Sequence, residues 1–433
     1  MIKSIKNILF LLCLLASLNG FAQSTTSSPY SQFGLGILQG PSLPQNRSMG
    51  GITAGLRKPG SYNNINLGNP ASYSAIRLTT FDVGMFSSLS KLSKAGVSED
   101  NFNAALSHLV FAVPVSKKSA LSFGVLPYSS LGYKSRIQDQ IISSTDTSNI
   151  DYVYSGDGGV SKAYLGYGFQ VGKHLSFGAN ASYLFGKLEE NRDTEFPDDY
   201  SALNVRTQRN NSVGGLSFDY GVQYFGNFSK SVKFTLGYAG TAGTKINSTG
   251  NTLTTRYSKD NLGNENTAVD TTNFIENGKM KLTLPSTHTF GFTLEKSNKW
   301  LLGADLSLGQ WADYREGSQN TGLQNSLGLA VGGQLTPDIT AVGSYFKLVD
   351  YRLGFKYDKT YINLNNTDID QIAATIGFGF PLPSNRSTFY KINFGTEIGQ
   401  RGTVANNLVR ERYVNFYIGF TLNDLWFQRI KFD

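Results

Sequence analysis

From about residue 77 onward the chain repeats one pattern, in which apolar residues alternate with small or polar ones. The stretch Tyr413 to Leu422 shows it most clearly. Val414, Phe416, Ile418, Phe420 and Leu422 fall on one side, and Asn415, Tyr417, Gly419 and Thr421 on the other. Side chains alternate faces along a strand, so each such segment has one apolar wall and one polar wall. Leu175, Phe177, Ala179, Ala181, Tyr183 and Phe185 alternate in the same way with Ser176, Gly178, Asn180 and Ser182. Leu216, Phe218, Tyr220, Val222 and Tyr224 alternate with Ser217, Asp219, Gly221 and Gln223, and Ile392, Phe394 and Ile398 with Lys391, Asn393, Gly395 and Glu397. Charges sit opposite the aromatics, as they must if the apolar wall meets lipid.

The spacing predicts about fourteen strands. Up-strands are expected near 77–90, 119–135, 174–190, 232–247, 300–314, 345–360 and 387–400. Down-strands are expected near 103–115, 159–171, 210–228, 286–296, 321–335, 368–380 and 410–422. Tight connections at Ser116-Lys117-Lys118, Gly172-Lys173, Ser229-Lys230-Ser231, Ser297-Asn298-Lys299 and Thr336-Pro337-Asp338 alternate with longer polar segments such as 136–158, 191–209 and 248–285. An even strand number with short turns at one end and long loops at the other is the pattern of an outer-membrane barrel. No blade repeat of a propeller is present, and a soluble sandwich has little use for strands of this length. The expected fold class is therefore all-β, a transmembrane antiparallel β-barrel.

Composition supports this. Among 433 residues there are 47 Gly, 23 Tyr and 29 Phe, and charged residues make only 16%. The mean hydropathy of −0.22 excludes a helical membrane protein but not a barrel, whose strands have one wet face. Lys3 and Lys6 precede the apolar run Ile8 to Leu18, and Gly20-Phe21-Ala22 supplies small residues at the cleavage positions. Residues 1–22 thus read as a cleaved signal peptide, which places the mature chain in a Gram-negative outer membrane. Cys13 is the chain's one cysteine and lies in that leader, so disulfides, zinc thiolate sites and cysteine catalysis are excluded. Loss of the two leader lysines lowers the formal charge from +8 to +6. The basic residues are scattered, which argues against nucleic acid and for contact with outer-membrane lipid headgroups.

Residues 23–76 do not alternate and are dense in Gly and Pro, which indicates irregular backbone. Phe33, Leu35, Ile37, Met49, Ile52 and Leu56 are too many large apolar residues for a disordered arm, so this segment is expected to fold as a plug, followed by the barrel at 77–433. Pro127 falls within a predicted strand, where it removes a ladder donor and imposes a bulge or a break. The tail from Asn423 to Asp433, with Trp426, Phe427 and a final Phe432-Asp433, fits the last strand less well.

Candidate chemistry is sparse. His108, His174 and His288 stand in different predicted strands without a second ligand at metal spacing, so no metal or cofactor is expected. Asp157-Gly158-Gly159 and Asp198-Asp199 lack the alternating oxygen ligands of a calcium loop. Gly166-Tyr167-Gly168 lies inside an alternating strand and is no nucleotide loop. His288 beside Ser286 and Thr287 is the one hint of a hydrolase, and the chain is not expected to be an enzyme.

The N-terminal motif Arg47-Ser48-Met49-Gly50-Gly51, followed by Asn69-Pro70-Ala71, resembles the hatch of the FadL-type long-chain fatty-acid transporter superfamily. Leu126-Pro127-Tyr128-Ser129, Leu284-Pro285-Ser286-Thr287 and the run Trp300 to Trp311 follow in the same order. The resemblance covers most of the mature chain through short motifs. It implies passive uptake of hydrophobic, fatty-acid-like molecules, with residues 23–76 as a hatch whose motif is Arg47, Gly50, Gly51, Asn69 and Pro70. Phe33, Met49 and Leu56 would contact an acyl chain, or serve simply as packing. In that family the third strand is kinked and opens the wall sideways, which would assign Pro127, Tyr128 and Ser129 to a lateral opening. The superfamily also contains PorV-type barrels, so the same resemblance admits a docking or plugging subunit of a type IX secretion translocon, whose partner would be a large barrel.

Overall fold

The computed structural model describes residues 27–57, 64–142, 147–199, 201–260, 262–383 and 388–426. The expected signal peptide and the end of the tail, Phe427 to Asp433, lie outside the described residues. Fourteen antiparallel strands form a closed ring. They are β1 (Thr79–Lys94), β2 (Val97–Ser116), β3 (Ser119–Ile142), β4 (Thr147–Val171), β5 (Leu175–Glu195) and β6 (Asn204–Asn227). β7 runs in two pieces, Lys233–Thr241 and Thr244–Tyr257, as does β8, Asp270–Leu284 and Thr287–Lys296. The rest are β9 (Trp300–Gly309), β10 (Ser326–Leu335), β11 (Asp350–Leu364), β12 (Thr367–Pro381), β13 (Phe389–Arg401) and β14 (Arg410–Asp424). Continuous pairing of β14 with β1, from Arg410↔Ser93 to Asp424↔Thr79, closes the ring.

Closure satisfies most of the backbone through ladder bonds, the condition for spanning a bilayer with strands. The alternation sorts as expected. Along β14, Ile418 is exposed while Tyr417, Gly419 and Thr421 are buried; along β5, Tyr183 and Phe185 are exposed while Ser176, Asn180 and Ser182 are buried. The outward wall is apolar, and the inward wall is largely polar or glycine except where Leu131, Val160, Leu184 and Ile246 line its outer part.

Three departures from the predicted boundaries have physical causes. The segments 136–158, 191–209 and 248–285, expected as outer loops, are largely continuations of strands, and β4 alone has 25 residues. About 9 to 11 residues cross the hydrocarbon, so β3 to β8 stand well clear of the membrane as long hairpins with no lipid on their outer face. They lack apolar alternation for that reason. Arg206 bridges Asp193 at 2.7 Å and Glu265 at 2.8 Å across these hairpins. Second, Thr336-Pro337-Asp338 is no tight turn: β11 begins at Asp350, and 336–349 form a long connection holding a 3-10 turn, Tyr345–Lys347. Third, β9 ends at Gly309, after which Trp311–Asp313 turn inward.

The N-terminal segment lies inside the ring. The backbone N–H of Ser28 donates to Gly132 O on β3 at 2.9 Å, Gly50 N–H to the Thr375 hydroxyl on β12 at 2.9 Å, and the Thr293 hydroxyl on β8 to Gly55 O at 2.8 Å. A segment bonded to strands all round a closed ring has nowhere else to be. Lumen-facing glycines make room for it. Gly332 pairs with Gly354 across β10 and β11, and a Cβ at either would overlap the Met49–Gly50 backbone. Gly178 and Gly221 pair across β5 and β6 beside Pro70 and Asn69, and Gly237 and Gly291 across β7 and β8 beside Ala54.

Candidate functional site

The short helix Pro44–Arg47 opens on a proline whose missing N–H costs nothing at that position. It closes through Gly50 and Gly51, at φ +68° and +88°, where side chains other than glycine are strained. Arg47 donates from Nε to Ser42 O at 2.8 Å and from an Nη to Gly40 O at 3.0 Å, and its guanidinium stands 4.9 Å from the centre of the Tyr417 ring. It therefore ties the helix to the preceding loop and to β14. Asn69 caps the 3-10 segment Pro70–Ala75, accepting from Ala71 N–H at 3.1 Å while its amide donates to Ala54 O at 2.7 Å.

Asp305, on β9, is the main anchor. Its Oδ2 accepts from Thr53 N–H at 2.6 Å and Ala54 N–H at 2.9 Å. Gln223, three strands away on β6, donates to Ala54 O and Leu56 O at 3.0 Å. Arg57 lies over the Phe225 ring at 3.8 Å and donates to the Ser176 hydroxyl at 2.8 Å. Burial, with Arg77 nearby, pushes the Arg57 guanidinium down to about 10. None of these partners stood out in the sequence. The available signal was a lone acid within the apolar run Trp300 to Trp311.

Above this segment the lumen holds a cavity of about 480 Å³. Its walls include Arg47, Gly50, Thr53, Leu126, Pro127 and Tyr128, and two ion pairs, Lys162–Asp219 at 2.6 Å and Lys356–Glu397 at 2.8 Å. Nearer the outer end, buried Leu35, Leu131, Ile246, Trp311, Tyr314 and Tyr361 form an apolar cluster against which Phe33 and Tyr128 pack. Met49 and Leu56 belong to a different cluster, with Ile52 and Leu301, and are fully buried away from the cavity wall. Phe33, Met49 and Leu56 are thus not brought together.

Pro127 marks an irregularity of the wall. The β2–β3 ladder runs from Ser116↔Ser119 only as far as Leu109↔Val125. Beyond it β2 continues to pair with β1 as far as Lys94↔Val97, while β3 turns to β4 with a register shift between Pro127↔Ser161 and Ser129↔Val160 that leaves Tyr128 bulged. On its inner side β3 pairs instead with Ile37 and Leu38, opposite Ser130 and Ser129. Two neighbouring strands therefore part company beside Pro127, where the cavity touches the wall.

The three histidines have ordinary partners. His108 Nε2 lies 2.6 Å from Asp82 Oδ1 in the lumen, and the Thr421 hydroxyl donates to Asp82 Oδ2 at 2.6 Å. His174 Nδ1 is 2.9 Å from Phe225 O, and His288 Nδ1 is 2.9 Å from the Tyr238 hydroxyl. Ser286 donates to Gln310 at 2.6 Å and so does not pair with His288, while Ser107 Oγ lies 3.1 Å from His108 Nδ1. Asp157 lies within β4, Asp198 accepts from Asn149 at 2.6 Å, and Asp199 accepts from Ser201. Among the described residues no group of three or more His, Cys, Asp or Glu could hold a metal.

A closed fourteen-stranded barrel with an apolar outer wall and an internally packed N-terminus defines an outer-membrane β-barrel of FadL-like fold. A Pseudomonas aeruginosa FadL homologue superposes with a TM-score of 0.60 at 12% identity, over 90% of this chain and 100% of that one. The Pseudomonas putida toluene transporter TodX gives 0.57 at 14%, over 92% and 100%. The CymD monoaromatic hydrocarbon channel gives 0.55 at 14%, over 91% and 99%. Identities this low carry the fold and nothing finer. No curated protein matches. The family model described as BamG matches residues 1–433, and the chain belongs to the BamG family.

Proposed function

We propose that this barrel passes hydrophobic small molecules from the cell exterior into the outer membrane, with residues 23–76 acting as its hatch. The observation that carries the reading is the parting of β2 from β3 above Leu109↔Val125, beside Pro127 and at the wall of the lumen cavity. A solute reaching the outer apolar cluster around Trp311 and Tyr361 has a short route past Tyr128 to this seam. The way downward is barred by the packed N-terminal segment and by the charged wall residues Lys162, Asp219, Lys356 and Glu397. Two of the structural neighbours bear the names of a toluene transporter and a monoaromatic hydrocarbon channel, which suits an apolar cargo.

Pro127→Ala tests the exit. It supplies an N–H where the ladder stops, and uptake of a fluorescent fatty acid or of toluene by cells carrying the variant should fall several-fold. Pro114→Ala, at the short-turn end of the β2–β3 ladder and away from the seam, should leave uptake unchanged. Normal uptake by the Pro127 variant would refute lateral exit.

A further inference from the structure

We propose that the outer wall formed by β11–β14 and β1 carries a binding groove for a phosphate-bearing glycolipid of the outer leaflet, of the lipid A class. The groove has a volume of about 660 Å³ and lies on the lipid-facing side, away from the lumen site and independent of what passes through it. Strand register sets its floor. Phe355, Ala374, Ile398, Val414 and Leu89 form one row across five strands, directly opposite one another in turn. Ala374 is the small member, and the ridges beside it, Phe355 and Ile398, are 43% and 58% exposed. A depression flanked by aliphatic and aromatic ridges has the form to hold an acyl chain.

The next row toward the outside changes character. Gln400, Arg412 and Lys91 stand opposite one another on β13, β14 and β1, and Asp100 follows on β2. Arg412 and Lys91 are direct cross-strand neighbours, and like charges so placed repel. Arg412 reaches only the Gln400 side chain, at 3.5 Å, and among the described residues neither cation forms an ion pair, even with Asp100. Two basic groups on adjacent strands, at the upper edge of an apolar groove, are placed for one phosphate whose chains lie below. The height agrees. β1 runs outward from the short-turn end of the barrel, so Lys91 stands at the outer-leaflet headgroup level, one row above the apolar belt.

The test is native mass spectrometry of the full-length barrel in an uncharged detergent. The probes are bisphosphorylated lipid A, the same lipid dephosphorylated, and inorganic phosphate. Bisphosphorylated lipid A should be retained, and the dephosphorylated form at least tenfold less. Lys91→Gln with Arg412→Gln should reduce retention at least tenfold. Ala374→Phe fills the floor of the groove without touching the charges and should also reduce it, which keeps the proposal testable if the double variant fails to fold. Equal retention of the dephosphorylated lipid, or displacement by inorganic phosphate as strongly as by lipid A, would overturn it. So would a groove occupied by a second copy of the chain, seen as a dimer that Ala374→Phe abolishes.

Discussion

Replacing Asp305 by alanine should release the N-terminal segment while leaving the barrel closed. Asp305 Oδ2 accepts two backbone N–H groups, from Thr53 at 2.6 Å and Ala54 at 2.9 Å, in a buried position. Hydrogen bonds to a charged partner are worth about 1.5–3 kcal/mol each, and buried donors left without an acceptor lose that and their hydration. Two such bonds imply a local loss of roughly 3–5 kcal/mol, given that the bonds from Asn69 and Gln223 to Ala54 O remain. That corresponds to roughly 150- to 5,000-fold faster exchange of the Thr53 and Ala54 amides, because exchange there follows local opening. β9 itself should hold, since its ladders to β8 and β10 do not involve the Asp305 carboxylate. Hydrogen–deuterium exchange read by mass spectrometry on peptides spanning 47–57 and on β9 separates the two effects. Unchanged protection at 47–57 would refute the anchor, and equal loss in β9 would show that Asp305 supports the wall instead.

Gly354→Val should have a related but harsher effect. Its side chain must occupy the space of the Gly50 backbone, so the variant should form a barrel with a protease-accessible N-terminus. Tyr30 offers a pH test. Burial, then Glu411, raises its hydroxyl from 10.0 to about 12, so its packing near the outer end is fully present below pH 10 and is lost as pH climbs toward 12. In absorbance at 295 nm Tyr30→Phe should remove one tyrosine from the several that titrate late, and late phases of wild type and variant that superpose would contradict this. Cysteines introduced at Phe33 and Leu56, in a chain with no cysteine beyond Cys13, should both resist a polar maleimide, and Asp305→Ala should expose Leu56→Cys first. Equal labelling before and after would count against a hatch held by Asp305.

Alternation made the wall legible in sequence, and the reasons it failed elsewhere are instructive. Each of the fourteen predicted strands overlaps a strand of the barrel, because lipid on one side and a polar lumen on the other force a period of two. The same rule gives no signal where lipid no longer meets the outer face. Residues 136–142 and 191–195 look like loops for this reason, though they continue β3 and β5. The error at 336–349 ran the other way. Pro337 read as a turn and Tyr345-Phe346 as the start of a strand, whereas the chain keeps to a long connection at the short-turn end. In the lumen, Arg47, Gly50, Gly51, Asn69 and Pro70 could be singled out because their glycines, proline and short polar side chains have local turn and capping roles. Asp305, Gln223 and Thr375 could not, since what they hold is more than 150 residues away in sequence. Asp82 and His108 escaped for the same reason, lying on neighbouring strands but 26 residues apart.

The distribution of polarity inside the barrel bears on direction of travel. The apolar cluster around Leu131, Trp311 and Tyr361 lies toward the outer end, and a solute the size of toluene burying roughly 150 Å² against it gains about 4 kcal/mol. Below it the inward wall carries Lys162–Asp219 and Lys356–Glu397, and lower still Asp350 accepts from Arg352 at 2.8 Å and from Lys391 at 2.7 Å. Moving an apolar solute past these pairs forfeits that gain and displaces the water or protein groups that satisfy them. Moving it sideways past Tyr128 into acyl chains forfeits nothing, because hydrocarbon receives it on the other side. An apolar cluster beside Tyr128 with charged pairs beneath it thus favours the wall over the floor as the way out. On that account, substituting Lys356 and Glu397 together by methionine and leucine should raise leakage of apolar solute to the periplasm without altering flux at the seam. Unchanged leakage would mean that the packed N-terminal segment, and not the charge, closes the floor.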